Sequence, residues 1–149
     1  MSAAIVLDSG PLSLLSQPRR LPNPQKCKQW AKSLLAVGRR IIVPEIADYE
    51  LRRELILLNR GSSLAALDQL GQQLEYLPIT TAAMRRAAEL WATARRGGMP
   101  TAADATIDAD AILAAQALTL GVAQFVIATA NPAHLARFVP AELWENIVP

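Results

Sequence analysis

The chain has 149 residues, 52% of them hydrophobic and 19% charged, with a formal net charge of +2 and one cysteine. That length fits one domain, residues 1–149, with a sizeable core, and no uninterrupted apolar run approaches the ~20 residues that cross a bilayer. Cys27 alone excludes an internal disulfide and a cysteine-built zinc site; with no basic segment and apolar run at the start, a cytoplasmic protein is expected.

Ile5, Val6 and Leu7 suit a short buried strand, because β-branched and large apolar side chains fit a pleated core. Gly10 and Pro11 end it, and Leu12, Leu14 and Leu15 begin a helix. Asp8 therefore falls at the C-terminal lip of the first strand, where open α/β sheets gather ligands. It suits the role of helix cap equally well. Residues 17–25, QPRRLPNPQ, read as a proline-punctuated loop, and 26–38, KCKQWAKSLLAVG, as a helix. A second strand is expected at Ile41 to Val43, and Pro44 stands where helix starts favour proline. The helix it opens should stop at Gly61, with a further helix over 62–74 and a strand within LEYLPIT, residues 74–80. A helix over 81–98 ends at a glycine pair, and MPTAADATID, residues 99–108, reads as the approach to a late helix over 109–121. A strand within AQFVIAT, residues 123–129, follows, and a last one within ENIVP, residues 145–149.

Short apolar strands alternating with helices argue for a parallel sheet covered on both faces. The expected fold class is α/β, a three-layer α/β/α sandwich with a central, mostly parallel sheet. Every strand-to-helix junction then falls on one edge of that sheet. Twelve of the fifteen basic residues are arginines, ten of them in the pairs 19–20, 39–40, 52–53, 85–86 and 95–96. Guanidinium groups match phosphate geometry and suit an RNA backbone, although any single pair is explained as well by an exposed helix face.

Three separate segments bring a carboxylate towards the strand-end rim: Asp8, Glu50 and Asp110, with Asp104 and Asp108 just before the last. Asp48 pairs naturally with Arg52 four residues on, and Glu45 suits a first helical turn. Residues two apart on a helix point about 200° apart, which separates Asp48 from Glu50 and Asp108 from Asp110. Asp108 suits the cap of the late helix, with Asp110 at its second helical position. Asp110 then shares a stripe with Leu113, Ala114 and Ala117, small enough to bring it close to the sheet. Converging carboxylates repel one another, and a divalent cation relieves that repulsion. Hard Mg²⁺ or Mn²⁺ takes oxygen ligands, whereas zinc fits poorly with His134 as the one histidine.

The segments IVLDSGPL, VPEIADYELRREL, DADAILAAQAL and VIATANPAHLARF resemble, in order, the four signature stretches of the PIN-domain family, most closely its VapC-type toxin nucleases. The resemblance covers nearly the whole chain, and its most specific part is DAILAAQA followed by a strand ending in Thr and Asn. It implies a metal-dependent endoribonuclease in which Asp8, Glu50 and Asp110 hold Mg²⁺ or Mn²⁺, with Asp108 and Asn131 as weaker candidates for the metal. A metal-activated water would attack the scissile phosphorus, leaving a 5′-phosphate and a 3′-hydroxyl. Ser9 and Thr129 match positions that help order water or phosphate. The resemblance also implies an antitoxin protein as partner and a homodimer, for which Trp30 and the Leu34–Leu35 stretch would give apolar surface, although any one of these residues is better explained as ordinary core. Asn131 stands where many members carry an aspartate, and His134 follows where some have another acid. That departure supports a second reading, a PIN-like RNA- or protein-binding module with weak or lost nuclease activity. A phosphatase using Asp8 as nucleophile is a third, weakened by Gly10 standing where that chemistry wants an acid.

Overall fold

Five short strands form one parallel sheet in this computed structural model, which describes residues 2–18, 21–98 and 104–149, with side chains from 108 onward in the last stretch. They are β1 (Ala4–Leu7), β2 (Ile41–Pro44), β3 (Glu75–Leu77), β4 (Phe125–Thr129) and β5 (Ala141–Leu143). Every neighbouring pair is parallel, in the order β3-β2-β1-β4-β5. The chain therefore builds outward from β1 to one edge, then returns to lay β4 against the other side of β1. That reversal opens a crevice beyond the carboxyl ends of β1 and β4, the place where open α/β sheets take ligands.

The helices are α1 (Ser9–Ser16), α2 (Pro22–Ala36), α3 (Glu45–Leu57), α4 (Gly61–Gln73), α5 (Thr81–Arg96), α6 (Asp104–Leu118) and α7 (Pro132–Leu135). Strand alternation assigns them to faces. Ile5, Leu7, Ile41 and Val43 pack on one side with Leu12 of α1, Trp30 and Leu34 of α2 and Leu67 of α4. Val6 and Ile127 pack on the other with Leu113, Ala114 and Ala117 of α6 and Leu135 of α7. Outside α6, α5 docks through Ala87 against Ala111 and Ala115. The three-layer sandwich is as expected, and every strand pair is parallel.

Several boundaries differ from the sequence-based expectation. Proline does not keep residues 22–25 out of a helix, because Pro22 and Pro24 lie in the first turn of α2, where a missing N–H forfeits no hydrogen bond. Helix α3 ends at Leu57; Asn59 then takes a left-handed conformation with φ 54°, and Gly61 begins α4 rather than stopping α3. The late helix begins at Asp104, because an acidic first turn suits the helix dipole and no breaker stands between residues 104 and 108. Residues 145–149 form no strand. A 3₁₀ turn spans Trp144–Asn146, and the indole N–H of Trp30 donates to the carbonyl of Ile147 at 2.9 Å, while β5 lies earlier, at Ala141–Leu143. Trp30 and Trp144 meet edge to face at 5.5 Å in the core. Trp30 and Leu34 are therefore core residues and give no dimer surface; of that stretch only Leu35 is exposed.

Candidate active site

Asp8 is held from two sides. Its Oδ1 accepts a hydrogen bond from the backbone N–H of Ser9 at 2.7 Å, capping α1, and its Oδ2 accepts from the hydroxyl of Thr129 at 2.8 Å. The two roles weighed for Asp8, cap and rim carboxylate, are compatible, since a carboxylate has lone pairs for both. Thr129 is buried at the end of β4, and its Oγ1 also receives the backbone N–H of Asn131 at 3.1 Å. The pairing of β1 with β4, Leu7 opposite Ala128, brings these residues of distant sequence together. Gly10 has a steric reason: a Cβ there would stand 3.1 Å from the Cβ of Ala130. That crowding disfavours an acid at position 10 and weakens the phosphatase alternative further.

Glu50 lies on α3 and is half-buried. Burial, and after it the negative charge of Asp8, push its carboxyl up to about 7; Arg53 pulls it down and Asp110 adds to the rise. Its carboxyl lies along an open groove of about 730 Å³, lined also by Ser9, Gly10, Ser13, Arg53 and Leu57. Asp110 reaches the same neighbourhood from α6. Burial, then Asp8, push it up to about 6, while His134 and Arg137 nearby pull it back. Asp110 Oδ2 is buried and has no hydrogen-bond partner among the described residues. The stripe below it, Leu113, Ala114 and Ala117, is fully packed against the sheet. The charges of Asp8, Glu50 and Asp110 thus act on one another across three elements.

Asp108 and Asn131 are not drawn in. Asp108 is exposed and lies about 200° round the helix from Asp110. It stands in the second turn of α6 rather than at its cap. Asn131 is exposed, and its Oδ1 accepts the N–H of Ala133 at 3.3 Å, capping α7. Asp104 begins α6, and its side chain lies outside the described residues. Several arginines are engaged within the chain. Arg39 donates to the carbonyls of Ala3 and Val148, Arg40 pairs with Glu75, and Arg52 bridges Asp48 and Asp68. Arg19 and Arg20 lie outside the described residues. Arg53, stacked 5.1 Å over Tyr49, remains at the groove.

Two residues escaped sequence reasoning. Buried Gln116 of α6 donates to the carbonyl of Leu77 at 2.9 Å and accepts the N–H of Ile46 at 3.1 Å, so one side chain ties the helix of Asp110 to the helix of Glu50. A lone amide within an apolar helix was the available signal, since buried polar groups need partners. Arg137, read only as part of a motif, brings its charge to Asp110.

The residues suit a hard divalent cation. All three acids offer oxygen, two are held above the ordinary carboxylate range, and a buried carboxylate oxygen lacks a partner. Among the described residues no three His, Cys, Asp or Glu side chains form a ready cage for a metal ion.

The PIN domain family model matches residues 5–138, and the chain belongs to that family. No curated protein matches the sequence. Among solved structures, FitAcB from Neisseria gonorrhoeae superposes with a TM-score of 0.68 at 20% identity, over 96% of this chain and 99% of that one. VapBC2 from Rickettsia felis, bound to a DNA fragment from its promoter, gives 0.70 at 15% identity over 93% and 97%. DNA-bound VapBC from Salmonella typhimurium gives 0.70 at 20% identity over 96% and 99%. At these identities the likeness is one of fold.

Proposed function

We propose that this PIN-domain protein is a Mg²⁺- or Mn²⁺-dependent endoribonuclease and the toxin of a toxin–antitoxin pair. The observation that carries the reading is the meeting of the Asp8, Glu50 and Asp110 charges at the crevice beside β1 and β4, with one buried carboxylate oxygen unpartnered. Buried like charges are costly without a counter-charge. Asp8, Glu50 and Asp110 would hold the cation, directly or through its waters. When bound, a divalent cation lowers the pKa of a coordinated water and offsets charge on a phosphodiester under attack.

The chain's own residues divide the remaining work. Thr129 and the N–H of Ser9 fix the Asp8 carboxylate in one orientation. Glu50, whose carboxyl is pushed up by burial and by Asp8 in the cation-free fold, is suited to join the cation's ligands, since a cation offsets the charge that burial disfavours. Arg53 at the groove is positioned to meet an RNA phosphate. Tyr49, Ile56, Leu57 and Leu58 are exposed on α3 and at its end, and Leu57, exposed by 78%, lines that groove, apolar surface that a monomeric enzyme has little reason to present to water. An antitoxin segment is its proposed occupant, in keeping with the VapBC and FitAcB complexes formed by proteins of this fold. A homodimer through another face completes the proposed assembly.

The test is cleavage of RNA with added Mg²⁺ or with EDTA, by wild type, Asp8→Asn and Asp110→Asn. Loss of cleavage in both variants and in EDTA supports the reading; unchanged cleavage in both removes the assigned site. The second reading, an RNA- or protein-binding module of weak or lost activity, is favoured by Asn131, which is neutral and engaged in capping α7. RNA bound but uncut by wild type in Mg²⁺ and in Mn²⁺ would select it.

A further inference from the structure

Helix α5 carries Arg85, Arg86, Arg95 and Arg96 against a single acid, Glu89, and all of them are exposed. Its inner face is built of the buried Ala83, Ala87 and Ala94, and Ala87 docks on Ala111 and Ala115 of α6. At about 100° per residue, Arg85 and Arg96 fall within roughly 20° of each other, on the side opposite those alanines and ~16 Å apart along the axis. Neither meets a carboxylate among the described residues. The carboxylate of Glu89 is held by Arg86 at 3.0 Å, to one side of that line. On the other side, the guanidinium of Arg95 lies 5.3 Å from the centre of the Trp91 ring, held against the helix. Helices α5 and α6 pack side by side and are joined by residues 97–103. The Arg95–Arg96 end of α5 is therefore at the end of α6 that carries Asp110.

We propose that the outer face of α5, through Arg85 and Arg96, is an RNA-backbone surface outside the acid crevice, by which the enzyme grips a long substrate away from the bond it cuts. The inference rests on the RNA reading given above. Charge selects the occupant. A second copy of this face would set arginine against arginine, whereas a phosphate backbone offers negative charge at regular intervals along a strand. Guanidinium groups donate to phosphate oxygens in a forked geometry that suits them to this task. The crevice itself, lined by acids, repels phosphate until a cation is bound, so affinity for RNA has to come from elsewhere on the chain. The consequence is a dependence on length. An RNA that fills only the crevice does not reach α5, and a longer one does.

The experiment measures binding of a fluorescein-labelled single-stranded RNA of ~20 nucleotides, longer than one crevice can hold, by anisotropy in EDTA over a series of salt concentrations. The full chain is used as wild type, as the double variants Arg85→Ala/Arg96→Ala and Arg85→Lys/Arg96→Lys, and as Arg40→Ala. Arg40 is an exposed arginine just before β2, at the opposite end of the sheet, paired with Glu75. The alanine pair should weaken binding roughly 10- to 50-fold at ~50 mM salt and reduce the slope of log affinity against log salt by about 1.4. The lysine pair should keep that slope, and Arg40→Ala should change little. In Mg²⁺ the alanine pair should raise KM for the long RNA at unchanged kcat, and cleave an RNA of ~4 nucleotides like wild type. Equal affinity in wild type and the alanine pair would overturn the inference, as would a loss per charge as large in Arg40→Ala. So would an alanine pair that alters only the oligomeric state, which would make this face a contact between copies. In each of those cases cleavage by wild type would leave the nuclease reading standing. Long RNA bound through Arg85 and Arg96 but uncut in Mg²⁺ and Mn²⁺ would sustain the surface and remove the nuclease reading.

Discussion

Glu50 and Asp110 carry the clearest consequence of single side chains. In the fold their carboxyls are pushed up to about 7 and about 6, chiefly by burial and then by Asp8, whereas in an unfolded chain they titrate near ~4. The native state therefore holds these protons more tightly than the unfolded state. Their contribution to stability is fully present below pH ~4 and is lost as pH rises to about 7. A divalent cation competes with those protons and offsets the loss. We expect Mg²⁺ to raise Tm by several degrees at pH 8 and hardly at all at pH 5, and Asp110→Asn to shrink that difference. Thermal melts in EDTA and in Mg²⁺ at both pH values check it; equal Mg²⁺ effects at the two pH values would contradict it. Asp8 was legible as a rim residue from the strand that precedes it. Its second anchor, Thr129, could be named from the motif, but the hydrogen bond between them depends on β1 pairing with β4, which local pattern does not reveal.

Among the elements, α3 and α6 decide whether the acids meet, and Gln116 is the side chain that joins them. Replacing it by alanine leaves the N–H of Ile46 and the carbonyl of Leu77 without their partner. Each buried group so stranded costs about 1–3 kcal/mol. Gln116→Ala should lower Tm by roughly 4–24 °C and reduce cleavage several-fold at a temperature where the variant is still folded, because Glu50 and Asp110 lose their common tether. Unchanged cleavage with a lowered Tm would confine Gln116 to a structural role. The helices and strands were largely readable, since continuous apolar runs alternate with helical periodicity. What failed were ends. Pro22 and Pro24 look like loop residues until placed in a first turn, and ENIVP reads as a strand although Ile147 packs in the core with Trp30 and Trp144. The same local ambiguity put Asp108 at a helix cap, whereas α6 begins at Asp104 and leaves Asp108 exposed.

At the scale of the whole molecule, the strand order puts Asp8 at the crevice, where its charge acts on Glu50 and Asp110, and leaves Ile56, Leu57 and Leu58 as an exposed apolar strip at the end of α3, with Leu57 on the groove that Glu50 lines. Leu57 is the most exposed large hydrophobic residue of that strip, so Leu57→Lys should leave Tm unchanged. Losing a buried leucine contact of about 1.5–3 kcal/mol should weaken binding of the proposed antitoxin partner roughly 10- to 100-fold, as read by calorimetry; unchanged affinity would place the partner elsewhere. The partner face was not legible in the sequence, where the apolar stretch at Trp30 and Leu34 drew attention and the core absorbs both. The arginine pairs made an anionic partner plausible, and the fold adds that Arg39, Arg40 and Arg52 are also engaged within the chain. The account stands most directly on Mg²⁺-dependent RNA cleavage by purified wild type beside folded Asp110→Asn. It expects cuts leaving 5′-phosphates from wild type, abolished by EDTA and reduced at least ~100-fold in the variant. Equal cleavage by the two proteins, or cleavage by wild type undiminished in EDTA, would contradict it.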